Sequence, residues 1–212
     1  MERQTPATTA PQRTSLRADA RRNRERVLEA ADTVFSEFGP AASTEEVARR
    51  AGVSIGTVFR HFPTKEALIE AVVIGRLTQL TAEAERLADA VDADADADAD
   101  ADAAFLIFFH RWIELSATKY QFAGALSRSG TDVQEIRNTH PDVGRKLHDA
   151  VGVLLTRAQH TGGIRRDVGA SEVIALLVGA SRAHEHVGLD ADQRAHLLSV
   201  IIDGLRGSRP AT

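Results

Sequence analysis

Apolar side chains recur along this chain at intervals of three and four, the spacing of helices that bury one face, and no stretch alternates convincingly like a strand. Val27, Ala30, Ala31, Val34, Phe35 and Phe38 form one such stripe, closed by Gly39 and Pro40. Ser43, Thr44, Glu45 and Glu46 have the form of a capping box, which would open a second helix carrying Val47, Ala48 and Ala51 inward as far as Gly52. Ser54 can cap a third helix to about His61, and Pro63 with Thr64 can open a long fourth one from Lys65 to about Ala90. Helical patterns follow at about 103–119, 121–129, 141–161, 171–187 and 190–206. The expected fold is therefore all-α, with about nine helices.

Charge changes this picture at two places. Residues 1–26 hold Arg3, Arg13, Arg17, Arg21, Arg22, Arg24 and Arg26 against Glu2, Asp19 and Glu25. The first dozen residues lack a periodic apolar face, so residues 1–20 read as a disordered basic arm, with a helix beginning near Arg21. From Asp92 to Asp102 the chain alternates Asp and Ala. Like charges at i and i+4 oppose a helix, so 91–103 reads as a flexible, solvated acidic loop. Asp92, Asp94 and Asp96 have the starting spacing of an EF-hand loop, but Ala97 replaces the turn glycine and no Glu closes the ligand set. The run carries more than the whole net charge of -4, so the remainder is basic.

Composition removes several chemistries. With no cysteine among 212 residues there is no disulfide, thiolate metal site or cysteine nucleophile. No apolar run reaches the length of a membrane span, and the first 20 residues lack the apolar core of a secretory leader. No membrane partner is expected, and a cytoplasmic location is.

The stretch from Ser43 to Phe62, STEEVARRAGVSIGTVFRHF, has the parts of a helix-turn-helix. Ala48 is small enough for two helices to cross closely, Gly52 can take the left-handed turn conformation, and Val53 plugs the corner. Val47, Val58 and Phe62 would share a core with Val34 and Phe38. The third helix would then present Ile55, Gly56, Thr57, Phe59, Arg60 and His61 to a major groove. Arg60 can pair with the O6 and N7 edge of guanine or with a phosphate, Ile55 can touch a thymine methyl, and Gly56 lets the backbone approach phosphates. Thr57, His61 and Lys65 suit phosphate contacts, Lys65 at the start of a helix that itself favours anions. The basic arm could reach an adjacent minor groove. The acidic run would lie beyond a fourth helix of about 39 Å, outside electrostatic range of DNA at a screening length of about 8 Å.

From about Arg22 to Val73, and most tellingly in AGVSIGTVFRHFPTKEAL, the chain resembles the tetracycline-repressor (TetR) family of bacterial transcriptional regulators. The resemblance implies an all-helical homodimer in which a three-helix head, residues 21–64, binds DNA, and a body, residues 65–212, binds a small effector and dimerises. Matching positions place Thr44, Thr57, Phe59, His61 and Lys65 at phosphate contacts, and Ile55, Gly56 and Arg60 among the base readers. Phe59 stands where the family usually has Tyr, so the phenolic hydroxyl is missing. Thr44 stands where the residue is often apolar. The segment from Leu154 to Ala183 further resembles the SbtR-like C-terminal domain of such regulators.

In the body, Phe105, Phe108, Phe109 and Trp112 share one helical face. That is the pattern of a core. A mostly apolar effector cavity can be walled by the same kind of residue. The candidates are Phe108, Trp112, Phe122, Leu126, His148, Val151 and Leu155, with Leu176 and His184 opposite. His184 and His186 point about 200° apart on a helix, poor geometry for one metal ion, so no metal or cofactor is expected. Val173, Ala175, Leu176, Leu177, Gly179, Ala180 and Ala183, with Leu197, Leu198, Ile201, Ile202 and Leu205, give the last two helices more apolar surface than one side of a monomer uses. A two-fold four-helix interface would use it and pair two heads on successive major grooves of a palindromic operator about 34 Å apart. No nucleophile, acid and base pair or ligand set is assembled, so an enzyme is not expected. The rival reading is an effector-independent architectural DNA-binding protein, which would lack a cavity in the body.

Overall fold

The computed structural model describes residues 10–39, 41–92, 97–117 and 139–206. Among them every regular element is a helix, with one isolated antiparallel bridge between Ile164 and Arg206 and no strand. It divides into two compact units, which part at Val72 and Val73.

The first unit, the head, contains α1 (Ala10–Phe38), α2 (Thr44–Ala51), α3 (Ile55–His61) and the opening turns of α4 (Lys65–Asp92). Its core is made of Val27, Ala31, Val34 and Phe35 from α1, Val47 and Ala48 from α2, Val58 and Phe62 around α3, and Leu68, Ile69 and Val72 from α4. Burial of these α4 residues moves the boundary of the head beyond residue 64, where the sequence placed it.

Two expectations for α1 are corrected. The helix begins at Ala10, not near Arg21, so the basic segment is helical from that point. Alanine, glutamine, leucine and arginine are good helix formers, and Arg22 with Asp19 and Arg21 with Glu25 add pairs on successive turns. Phe38 is 60% exposed rather than in the core, because it closes the last turn of α1. Phe35, one turn earlier, is fully buried in its stead.

The second unit, the body, holds the rest of α4 with α5 (Ala97–Ala117), α6 (Pro141–Thr161), α7 (Ala170–Val187) and α8 (Ala191–Leu205). Phe105, Phe108, Phe109 and Trp112 of α5 pack with Leu147, Val151, Leu154 and Leu155 of α6, Leu80 and Leu87 of α4, and Val173 and Leu177 of α7. The Phe108 and Trp112 rings meet edge to face at 6.0 Å, and Phe105 and Phe109 lie tilted at 6.3 Å. The helical pattern expected at 121–129 lies outside the described residues.

Both ends of the acidic run are helical. α4 continues to Asp92 and α5 starts at Ala97, which takes the last aspartates into a helix. Alanine favours the helical state, and aspartate near an N-terminus is stabilised by the helix dipole. Asp102 accepts a hydrogen bond from the Thr161 hydroxyl at 2.6 Å, which ties the start of α5 to the end of α6. Gly162, at φ 84°, ends α6. The connection that follows is pinned to the end of α8, where the Arg165 N–H donates to the Leu205 carbonyl at 2.9 Å. Asp190 and Gln193 form the capping box that opens α8.

Among the described residues no helix is long and apolar enough to cross a membrane, and no group of His, Asp and Glu has the arrangement of a metal site.

Candidate nucleic-acid interface

The geometry of α2, turn and α3 follows from a few local bonds. The Ser43 hydroxyl accepts the Glu46 N–H at 3.2 Å and starts α2. The Glu46 carboxylate is engaged by Arg49, whose Nε donates at 2.9 Å, in place of the reciprocal bond of the expected capping box. That hydrogen bond holds the Glu46 carboxyl below the usual range for glutamate, and it raises the Arg49 guanidinium in turn. Gly52 stops α2 at φ 64° and ψ 36°, the left-handed region where a side chain would be strained. Its N–H reaches the Arg49 carbonyl at 3.2 Å, and that of Val53 reaches Ala48 at 3.1 Å. Ser54 then caps α3, accepting the Thr57 N–H at 3.2 Å, while the Ser54 and Thr57 hydroxyls lie 2.9 Å apart.

With Val58 and Phe62 holding α3 to the core, its remaining residues point away. Ile55 is 36% exposed and Phe59 42% exposed, and Gly56 and Arg60 are also exposed. Thr57 and His61 are half-buried at its flanks. Two large apolar side chains four residues apart on the surface of so short a helix have no packing role in the head. A Cβ added at Gly56 would meet nothing nearer than the Ser54 hydroxyl at 3.9 Å, so the absence of a side chain is not required by the fold.

The cations beside this face differ in their engagement. Arg50 is bound by Glu37 of α1 through contacts of 2.7 and 3.0 Å, and Arg49 by Glu46. Arg60 has no carboxylate partner among the described residues, nor does Lys65. Lys65 lies in the first turn of α4, which Thr64 caps by accepting the Ala67 N–H at 3.1 Å. Thr44 stands apart from this set. It is only 9% exposed, with its side chain turned into the head. One cation was not singled out from the sequence: the Arg24 guanidinium of α1 lies 5.1 Å from the centre of the Phe62 ring.

In the body, α5 and α6 bring Phe108, Trp112, Val151 and Leu155 together in the core, each at most 4% exposed. His148 and Leu176 do not join them: Leu176 is 40% exposed, and His148 lies on the surface, 3.2 Å from the Ser171 hydroxyl. Phe122, Leu126 and the His184 side chain lie outside the described residues. Asp149 is 3.6 Å from the other ring nitrogen of His148, beyond hydrogen-bonding distance, so Ser171, His148 and Asp149 form no relay. An open groove of about 350 Å³ between α4 and α6, lined by Glu85, Asp89, Lys146, Asp149 and Arg157 among others, uses none of the expected wall residues. No sequence signal marks it, because its two walls are far apart in the chain.

A helix-turn-helix with an outward face of this kind, joined to a separate all-helical body, is the build of a bacterial transcriptional regulator. Residues 27–72 match the family described as bacterial regulatory proteins, tetR family, and residues 100–207 match the SbtR-like C-terminal domain of transcriptional regulators. The crystal structure of a TetR transcription regulatory protein from Mycobacterium vanbaalenii is 35% identical, with a TM-score of 0.65 over 90% of this chain and 99% of that one. A TetR transcriptional regulator from Streptomyces coelicolor is 30% identical, with a TM-score of 0.63 over 88% and 99%. The chain belongs to the TetR family. Curated relatives match over a shorter stretch. An HTH-type transcriptional repressor of Mycobacterium tuberculosis is 44% identical over 69 residues, 31% of this chain and 37% of the relative. The regulator UidR of Escherichia coli is 38% identical over 61 residues, 28% of this chain and 31% of its own.

Proposed function

We propose that the protein is a homodimeric repressor that binds a palindromic operator through α3 and releases it when a small molecule binds the body. The observation that carries this reading is the outward face of α3, where Ile55, Gly56, Phe59 and Arg60 are exposed and serve no packing need of the head. Arg60 would reach a guanine edge or a phosphate, Ile55 a thymine methyl, and Thr57, His61 and Lys65 the backbone. Thr44 would contribute through its backbone N–H at the start of α2 rather than through its buried side chain. Phe59 supplies apolar contact only.

Dimerisation is supported by apolar surface on the last two helices. Leu176 is 40% and Val200 54% exposed, beside half-buried Leu197 and Ile201. A two-fold pairing of α7 and α8 would bury that surface and fix two heads at a set spacing. For the effector, the proposed wall is Phe108, Trp112, Val151 and Leu155, with Phe122, Leu126 and His184 as further candidates; His148 and Leu176, which face the surface, are left out of it. Release requires an effector that prefers one of two head spacings. A DNA-binding regulator of this kind acts in the cytoplasm and needs no membrane partner or catalytic group. The close packing around Phe108 and Val151 favours a second reading, an architectural DNA-binding protein that needs no effector.

The test is selection. Random-sequence duplexes are incubated with the protein at physiological salt, and those retained are sequenced. The proposal expects enrichment of a palindrome with half-sites about one helical turn apart. Retention without any sequence preference would support the architectural reading, and no retention at any salt would reject both.

A further inference from the structure

The arginines of α1 divide into two sets. Arg22 is paired with Asp19, Arg26 donates to the Asn23 side-chain Oδ1, and Arg21 lies 3.8 Å from Glu25. Arg24 has no carboxylate partner among the described residues. Its guanidinium sits instead over the ring of Phe62, 5.1 Å from the centre. Phe62 caps the C-terminal end of α3. It is 3% exposed, and its N–H donates to the Val58 carbonyl at 2.8 Å, so the ring is a fixed platform. Its neighbours in sequence are His61, the last residue of α3, and Pro63 and Thr64, which lead into Lys65. Arg24 is therefore held beside the C-terminal end of the helix whose outward face is proposed to meet DNA.

A guanidinium stacked on an aromatic ring keeps its planar N–H edges free, and those edges match a phosphate. The surroundings agree with an anion as the missing partner. At 100° per residue, Arg13, Arg17, Arg21 and Arg24 recur on one side of α1; Asp19 and Glu29 fall on the other half, while Glu25 lies at the edge of the basic side, where it faces Arg21. The helix is continuous from Ala10, so this basic side is a feature of a helix and not of a flexible arm.

We infer that Arg24 is a DNA-phosphate contact, seated on Phe62, that extends the interface from α3 onto the basic side of α1. The inference rests on the proposed DNA-binding function. The contact it assigns to Arg24 is to the backbone and independent of sequence.

The experiment measures binding of the full-length protein, Arg24→Gln and Arg24→Lys to the selected palindrome and to a scrambled duplex between 50 and 200 mM salt, with the melting temperature of each. Arg24→Gln is expected to weaken both duplexes by the same factor and to flatten the slope of log K against log salt by about 1.8, one phosphate contact being lost from each protomer of the dimer. Its loss of affinity over that salt range is then about 12-fold smaller than that of the wild type. Arg24→Lys keeps the charge and is expected to keep the slope. An unchanged slope in Arg24→Gln, with only a lower melting temperature, would overturn the inference and leave Arg24 as a cover for Phe62. A loss on the palindrome with none on the scrambled duplex would overturn it too, making Arg24 a base reader. A wild type that selects a palindrome beside an unaffected Arg24→Gln rejects this inference alone, whereas a wild type that binds no duplex rejects the proposed function and this inference with it.

Discussion

The head and the body are both all-helical, but they use their helices differently. In the head a small core of valines, alanines, two phenylalanines and Leu68 and Ile69 of α4 is enough, because α2 and α3 are fixed at their ends by Ser43, Ser54 and the left-handed Gly52. That leaves one face of α3 with nothing to do for the fold. In the body the aromatic face of α5 is consumed by the core, with Phe105, Phe108 and Phe109 at most 1% exposed, and most of the large apolar side chains left exposed lie on α7 and α8, beside Ile107 of α5 and Val153 of α6. The lesson is that a face the fold does not need is the better guide to function. In the head that face carries a mixture suited to bases and phosphates, while in the body it is apolar and suited to a second copy.

The largest expected effect sharpens this difference. Phe105→Ala removes a fully buried ring and should destabilise the body by about 3–5 kcal/mol, read by calorimetric or denaturant unfolding. A loss below about 1 kcal/mol would mean that the α5 core is loosely packed and that a cavity there is a natural state of the body. A smaller effect is expected at Gly163, where a Cβ would overlap the Asp102 carboxylate and displace it from Thr161. Gly163→Ala should cost about 1 kcal/mol, and a double-mutant cycle with Asp102→Ala should remove most of that cost. Additive losses would show that Asp102 is not the group in the way. The smallest effect has opposite signs in two measurements. Gly56→Ala should stabilise the head by about 0.5–1 kcal/mol, since a helical glycine is costly and the space beside it is open. The same change should weaken DNA binding, because the added methyl stands between the backbone and the duplex. If stability and affinity rise together, α3 does not approach DNA at Gly56.

The local devices of the head were legible in the sequence because each needs only neighbours in the chain. Ser43, Gly52, Ser54 and Thr64 act within four residues, and all four do what their positions suggested, apart from the reciprocal half of the capping box, which Arg49 displaces. What was missed depends on partners far away or on context. The start of α1 at Ala10 reflects helix propensity acting without an apolar stripe to announce it. The Asp–Ala run was read by its charge repulsion, whereas alanine propensity, the helix dipole and the Thr161 hydroxyl decide its second half. Arg24 over Phe62 joins residues of different helices, and nothing in the spacing of either reveals the pair. The expected effector wall was legible only in part. Its aromatic face is present, but His148 and Leu176 are turned to the surface, since the sequence could not say which side of α6 or α7 would meet α5.

The most direct test of the claim that the free face of α3 reads DNA is a comparison of wild type and Arg60→Ala across every single-base-pair variant of the selected site. The account predicts that Arg60→Ala loses about 1–3 kcal/mol of binding and becomes indifferent at one base pair of each half-site while keeping its preferences elsewhere. An equal loss at every variant would reduce Arg60 to a phosphate contact, and no loss at all would contradict the assignment of α3 as the recognition helix.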